Sequence, residues 1–260
     1  MTRVTTSASD GRHRAATIVR TITCLFSHKC EPGICHVPTP CSPDNRCFTC
    51  GLRPRLRRHN ILLLVDPIRP GDHLRIRMQT FKFDSILFLI SEQSLNSEPC
   101  VIEQETAERR GSPLFAALQN GTIPPKYRPR LCLPITELTT PAGVHKLAAA
   151  ISEHVAIRRL LRVLASTSSP PDLTRQTARD LSYRDGSVLA EHLRELERIF
   201  HQSRDEVTRH WVAWAIEHTG AADAVAVLEQ IQGIETAPYP AEGIRRALAN
   251  LKNVIAGAKP

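Results

Sequence analysis

Two short segments of the chain are apolar at every position. Residues 61–65 read Ile-Leu-Leu-Leu-Val and residues 86–90 read Ile-Leu-Phe-Leu-Ile. Successive side chains of a strand point to opposite faces of the sheet, so a run without polar alternation predicts a strand that is buried on both faces. Such strands belong to parallel sheets with helices on both sides, and this pattern is the strongest constraint on the fold.

The segments around these runs alternate between helix and strand signals. Residues 97–111 predict a helix, because Ser97 can cap it, Pro99 is tolerated in its first turn and Gly111 can end it. The other predicted elements are strands at 113–118 and 131–135 and helices at 73–83 and 139–155. Strands that alternate with helices over short loops predict an α/β fold, a flavodoxin-like doubly wound parallel sheet.

The last third of the sequence repeats itself. A segment that begins at Asp172 aligns with one that begins at Glu206, at a spacing of 34, and a third begins at Glu242 after a further 36 residues. Paired amphipathic helices at this period predict a short helical solenoid, in which each pair buries its apolar stripe against its neighbour. Trp211 and Trp214 lie three residues apart on one of these helices and are predicted to be core residues.

The first 58 residues differ from the rest in composition. Residues 1–60 contain ten Lys/Arg and three Asp/Glu, so this segment carries +7 of the formal net charge of +8. Nucleic-acid binding needs a basic surface on the folded body, and we therefore expect no nucleic-acid partner. With no apolar run of membrane-spanning length and no secretory signal, we also expect no membrane partner and a cytoplasmic location.

Cysteine is concentrated in the same segment. Six of the eight cysteines lie in the first 50 residues, and the pair at 47–50 has the spacing of zinc ligands. The second Cys pair of a zinc ribbon is missing, so we predict no metal site and reduced thiols instead. Four prolines between residues 32 and 43 oppose regular structure, and residues 28–53 contain none of the amphipathic pattern of a helix.

The middle of the chain resembles the Toll/interleukin-1 receptor (TIR) domain family. The sequence "VDPIRPGD" looks like the second strand of that family running into its BB loop, and "FDSILFLISEQSLNSEPCVIEQETA" looks like the third strand and the following helix. Ser97, Cys100 and Glu103 match the family motif, whereas Pro99 replaces its tryptophan. The sequence "FSH" at 26–28 would end the first strand, and the C-terminal repeats look like HEAT repeats.

This resemblance implies three parts in the chain. Residues 1–58 form an atypical Cys/Pro/Arg-rich segment that reads either as a degenerate start of the TIR domain or as a frame error. Residues 59–160 are the TIR-like domain, and residues 170–260 are the HEAT-like repeats. The stretch at 166–172 reads as a linker or as the start of a helix pair.

The resemblance also implies a function, the hydrolysis of NAD⁺ to nicotinamide and ADP-ribose or a cyclic form. Glu103, expected in the first turn of the helix that faces the crevice of the sheet, would be the catalytic carboxylate. Asp66, Ser97 and Cys100 are candidates for the substrate pocket, although Cys100 also reads as a small buried apolar residue. NAD⁺ would be a substrate, and no cofactor is expected.

The resemblance further implies contacts with other proteins. Pro70 and Gly71, in the loop after the second strand, are predicted to lie at an interface with other TIR domains or with a second copy of the chain. The helical repeats would bind a protein partner. A second reading stays open: a catalytically inactive TIR-fold scaffold that works through homotypic contacts, in which Glu103 only interacts with the helix dipole.

Overall fold

The computed structural model of the chain describes residues 21–27, 48–65, 82–119 and 129–257. Five strands form one sheet, namely β1 (Ile22–Ser27), β2 (Ile61–Val65), β3 (Ser85–Ile90), β4 (Leu114–Leu118) and β5 (Leu131–Pro134). They are arranged in the order β2-β1-β3-β4-β5, and every neighbouring pair is parallel. This is the strand order of flavodoxin-like sheets. The α/β parallel sheet predicted from the two apolar runs is therefore confirmed.

Helices cover both faces of the sheet. The side chains of β3 point alternately to the two faces, and each face has its own apolar core. The helices of this part are α1 (Phe48–Arg57), α2 (Glu92–Leu95), α3 (Glu98–Arg109), α4 (Ile135–Leu138) and α5 (Pro141–Ala165). Leu87 and Leu89 pack on the face that α1 and α5 cover. Phe88 packs on the opposite face with Cys100 and Ala107 of α3. All six residues of β3 are buried, as the sequence predicts for a central parallel strand.

The segment before residue 59 contributes to this sheet, which agrees with the reading of residues 1–58 as the start of the α/β part. Strand β1 lies between β2 and β3, and its end at Ser27 agrees with the prediction from residues 26–28. Helix α1 forms despite Pro54 in its interior, and it buries Leu52 and Leu56 on the sheet. The first strand and the first helix of the α/β fold are thus present, although the sequence predicted no helix between 28 and 53.

The remaining helices form two layers. They are α6 (Pro171–Ser182), α7 (Gly186–Ala190), α8 (Leu193–Gln202), α9 (Glu206–His218), α10 (Ala222–Ile234) and α11 (Pro238–Gly257). The three helices that carry the sequence repeat, α6, α9 and α11, lie side by side, while α8 and α10 pack behind them. The helical region predicted from the repeat is confirmed, and residues 166–170 connect α5 to α6 as a short linker.

One long helix belongs to both parts of the molecule. The first half of α5 packs on the sheet through Leu147 and Ile151, whereas Ile157 and Leu161 near its end belong to the core of the helical repeats. The predicted end of the sheet domain at residue 160 therefore falls inside a continuous helix of 25 residues. The two cores share this helix, so neither core ends at the predicted boundary at residue 160.

Trp211 and Trp214 differ in their burial. Trp211 packs against the core of the repeats, but the side chain of Trp214 lies at the surface with 40% of it exposed, so the prediction that both are core residues is wrong for Trp214.

The predicted helix at 73–83 lies almost wholly outside the described residues. Among the described helices, none combines the length and the apolar character needed to cross a membrane.

A buried histidine lies at the junction of the two parts. His154 of α5 is 5% exposed and contacts the ring edge of Phe115 at a centroid distance of 5.5 Å. Its Nδ1 atom is 3.7 Å from Oε2 of Glu191, which also forms an ion pair of 2.9 Å with Arg130. Burial lowers the pKa of His154 from 6.5 to about 4, and the positive charges of Arg130 and His192 act in the same direction.

We expect replacement of Leu56 by alanine to destabilise the sheet domain. Leu56 is completely buried, and loss of such a side chain typically costs about 2–5 kcal/mol. Arg53→Ala on the exposed side of α1 is the matched control, with an expected change below about 0.5 kcal/mol. Urea denaturation measures both. Equal stability of the two variants would show that α1 does not pack on the sheet.

We also expect the free energy of unfolding to fall as the pH decreases from about 6.5 to 4. The unfolded chain binds a proton at His154 in this range while the folded chain does not, so the stability contribution is complete above pH 6.5 and decreases by up to about 1.4 kcal/mol per pH unit below it. His154→Phe should flatten this dependence, whereas His201→Phe, at an exposed position, should leave it unchanged. Parallel pH profiles of all three proteins would contradict the assignment.

Candidate functional site

The segment after β3 positions the residues that the sequence predicts to be functional. Ser91 caps the short helix α2 in a reciprocal arrangement: its hydroxyl accepts a hydrogen bond from the backbone N–H of Ser94 at 3.2 Å, and the hydroxyl of Ser94 accepts one from the N–H of Ser91 at 2.9 Å. The Ser94 hydroxyl also donates to the carbonyl of Leu89. These buried bonds tie the start of the following helix to the end of the central strand.

Helix α3 begins at Glu98, one residue after Ser97. Ser97 occupies the N-cap position, but its side chain makes no capping hydrogen bond, so the predicted capping role is only positional. Pro99 lies in the first turn, and Gly111, with φ of +60°, follows the end of the helix as predicted. Because the helix starts at Glu98, Glu103 lies in its second turn and not in the first turn as expected.

Glu103 is buried on the side of α3 that faces the sheet. Cys100, Glu103 and Ala107 share one helical face, and their exposed fractions are 1%, 4% and 0%. Cys100 and Ala107 belong to an apolar cluster with residues of β1, β3 and β4, so the carboxylate lies between two residues that contact the sheet. Cys100 is therefore a core residue, which agrees with the apolar reading of this cysteine.

The burial of Glu103 separates it from the other acidic residues of the helix. Glu98 in the first turn, Glu105 and Glu108 are all exposed, and Glu98 is placed where an acidic side chain interacts favourably with the helix dipole. Removing a carboxylate from water costs several kcal/mol unless other groups compensate for it. Glu103 is thus placed differently from the acidic residues that stay in water, and this makes it a candidate for function.

The position of α3 relative to the sheet agrees with the rule for ligand sites in doubly wound folds. The strand order reverses between β1 and β3, and ligands of such sheets bind beyond the carboxyl ends of the strands at this point. Helix α3 follows β3 and packs against β1, β3 and β4. Glu103 lies about 7.5 Å along the helix from Glu98, at 1.5 Å per residue.

The other predicted site residues lie outside the described residues. Asp66, Pro70 and Gly71 belong to the segment 66–81, which follows the carboxyl end of β2. Segments 28–47 and 120–128 follow the carboxyl ends of β1 and β4 in the same way. Of the pair at 47–50, only Cys50 is described, and the described parts of the chain contain no cluster of three or more potential metal ligands.

A second group of polar residues was not predicted. Lys82, Asp84, Arg110 and Arg162 line a cavity of about 530 Å³ at the amino ends of β1, β3 and β4. These residues come from three segments that are far apart in the sequence. The net charge of each segment therefore shows no excess of basic residues. The only sequence signal is the run "RRLLR" at 158–162, which places two arginines on one face of a helix.

No family model, no curated protein and no solved structure matches this chain. The likeness to TIR domains depends on Ser97, Cys100 and Glu103 after a buried strand, and it stays a prediction. The structure of the chain itself offers two features for function: a buried carboxylate on the helix that follows β3, and a basic cavity at the amino ends of the strands.

We expect Ser94→Ala to destabilise the protein by about 1–3 kcal/mol, because the buried N–H of Ser91 would lose its acceptor and the carbonyl of Leu89 its donor. Ser97→Ala is the matched control, since the Ser97 side chain makes no capping bond and its loss should change stability by less than about 0.5 kcal/mol. Thermal unfolding followed by circular dichroism measures both. A larger effect at Ser97 would contradict this account.

Proposed function

We propose that the chain is a TIR-like NAD⁺ hydrolase in which Glu103 is the catalytic carboxylate. The observation that supports this proposal is the burial of Glu103 on the sheet-facing side of the helix that follows β3, in a parallel sheet whose order β2-β1-β3-β4-β5 has its switch point between β1 and β3. NAD⁺ is proposed as a substrate that the protein consumes and not as a bound cofactor.

The reaction breaks the bond between C1′ of the ribose and the nitrogen of nicotinamide. The bonding electrons leave with nicotinamide, which is positively charged in NAD⁺ and becomes neutral, so no acid is needed to protonate the leaving group. The ribose carbon becomes an oxocarbenium-like centre, and water adds to it and loses a proton to give ADP-ribose. If a nucleophilic atom of the ADP-ribosyl group adds instead, the product is cyclic.

A carboxylate assists this reaction by electrostatics. The positive charge develops on the ribose only in the transition state, so a fixed negative charge stabilises that state more than the bound substrate. The interaction is stronger in a site from which water is excluded. A buried glutamate on α3 meets both requirements, because it is dehydrated and its helix packs against β1, β3 and β4.

The helical repeats have a role in partner binding in this proposal. Three aromatic side chains of this region are exposed, with 65% of Tyr183, 49% of Tyr239 and 40% of Trp214 accessible to solvent. Tyr239 stacks on His210 at a centroid distance of 4.4 Å, so it is held by packing and not loosely attached. Exposed aromatic residues are enriched where proteins bind other proteins. We propose that this surface contacts a protein partner or a second copy of the chain.

The same aromatic surface favours a second candidate function, a scaffold without catalytic activity. In that case the α/β part would associate with other TIR domains or with itself, with Pro70 and Gly71 at the interface, and Glu103 would be a structural residue. The two candidates differ in whether NAD⁺ is consumed, and a single substitution distinguishes them.

We expect Glu103→Gln to reduce nicotinamide release from NAD⁺ at least 100-fold, because glutamine has the shape of glutamate but no negative charge. Glu105→Gln is the control: Glu105 is two residues further along the same helix and is exposed, so its loss of charge should change the rate less than twofold. The measurement is nicotinamide release by the purified full chain, followed by chromatography at several protein concentrations.

Thermal unfolding of both variants establishes that they are folded before the rates are compared. Equal rates for the wild type and Glu103→Gln would exclude Glu103 as the catalytic residue. Absence of nicotinamide release from the wild type, at concentrations where the chain self-associates, would exclude the hydrolase and leave the scaffold.

A further inference from the structure

The cavity at the amino ends of the strands is lined by three cationic side chains. Lys82 precedes β3, Arg110 follows α3, and Arg162 lies in the last turns of α5. Phe83 and Ser112 form part of the wall between them. The volume of about 530 Å³ is within the range of pockets that bind small molecules.

Asp84, the acidic residue next to these cations, already has two partners. Asp84 lines the cavity, but its Oδ2 atom accepts a hydrogen bond of 2.9 Å from the backbone N–H of Thr23 and forms an ion pair of 3.0 Å with Arg159. Among the described residues, neither Lys82 nor Arg162 has a hydrogen bond or an ion pair with another side chain. Their positive charges therefore remain available to a ligand.

Arg158, which is hydrogen-bonded to the backbone of two residues that line the cavity, adds positive charge. Arg158 donates hydrogen bonds to the backbone carbonyls of Asp84 at 3.3 Å and of Arg110 at 2.9 Å, and these acceptors are neutral. Burial, together with the positive charge of Arg162, lowers the pKa of Arg158 to about 10, so it stays protonated at neutral pH. The same two hydrogen bonds fix the backbone on both sides of the cavity.

The wall also offers an apolar surface. The guanidinium carbon of Arg110 lies 5.4 Å from the centroid of the Phe83 ring, an arrangement that holds both side chains in place. A ligand that suits this cavity has two or more negative charges close together and a flat or apolar part. Phosphate groups bind arginine and lysine in this way, and a nucleobase can pack on an aromatic or guanidinium plane.

We propose that this cavity is a binding site for a phosphate-bearing small molecule of the nucleoside diphosphate class. The diphosphate contacts Lys82 and Arg162, and the nucleoside lies towards Phe83 and Arg110. This site is separate from the one proposed for NAD⁺ hydrolysis. It lies at the amino edge of the sheet, where Arg110 is about 10 Å along α3 from Glu103 at 1.5 Å per residue, and it does not depend on the proposed hydrolysis.

Binding at this site would connect the two parts of the molecule. Lys82 and Arg110 belong to the sheet part, whereas Arg162 lies next to Leu161, which packs in the core of the helical repeats. A diphosphate that contacts both sides stabilises the folded state by RT ln(1 + L/Kd), where L is the free ligand concentration. We therefore expect ADP to raise the melting temperature of the full chain.

The test is a calorimetric titration of the full chain with ADP, adenosine and inorganic phosphate at a fixed ionic strength. We expect ADP to bind, adenosine to show no measurable binding and phosphate to bind at least tenfold more weakly than ADP. The double variant Lys82→Gln/Arg162→Gln should weaken ADP binding at least tenfold. Both side chains are exposed, so the variant should keep the melting temperature of the wild type without ligand.

The matched control removes two positive charges elsewhere. Lys252→Gln/Arg245→Gln changes two exposed residues of α11 and should alter ADP affinity less than twofold. No ADP binding by the wild type, an equal loss in both double variants, or equal affinities for ADP and adenosine would each overturn the proposal. So would ADP binding that is unchanged in Lys82→Gln/Arg162→Gln but altered in Glu103→Gln, since it would assign the ligand to the other edge of the sheet.

Discussion

The burial of β3 on both faces is the constraint on which the rest of the structure depends. Its six residues carry no charged group, so each face must be covered by apolar side chains from other elements. The alternation of the strand separates the cover into two cores, one with α1 and α5 and one with α3. Because parallel neighbours need crossover connections, α1 and α3, which cover opposite faces, also belong to the connections from β1 to β2 and from β3 to β4.

Two chemically different regions are associated with helix α3. The buried carboxylate of Glu103 belongs to the helix that starts at the carboxyl edge, and the basic cavity with Arg110 and Arg162 lies at the amino edge. Helix α3 connects them, since it starts near one edge and Arg110 follows its last residue at the other. The acidic and the basic group are therefore held apart along one helix that packs on apolar strands.

The elements that follow from local pattern could be predicted from the sequence, while those that depend on distant contacts could not. The apolar runs and the signals at Pro99 and Gly111 predicted β2, β3 and α3, because each is a property of consecutive residues. Helix α1 was missed because Pro54 and the preceding cysteines oppose a helix, and only burial of Leu52 and Leu56 on the sheet compensates for this. The prediction put Glu103 one turn too early although the N-cap position at Ser97 is correct, since five residues separate Ser97 from Glu103, which places Glu103 in the second turn of the helix that starts at Glu98. The basic cavity had no local signal other than the run at 158–162, as its residues meet only after the sheet has formed.

The shared helix α5 has a consequence for the modular history of the molecule. Its first half completes the sheet and its second half completes the repeats, through Ile151 on one side and Ile157 on the other. A recombination event at residue 160 would leave one fragment with an apolar helix end exposed and the other without the first wall of its core. The two parts can therefore be exchanged with other proteins only by cutting within a helix, and they are expected to be inherited as one piece.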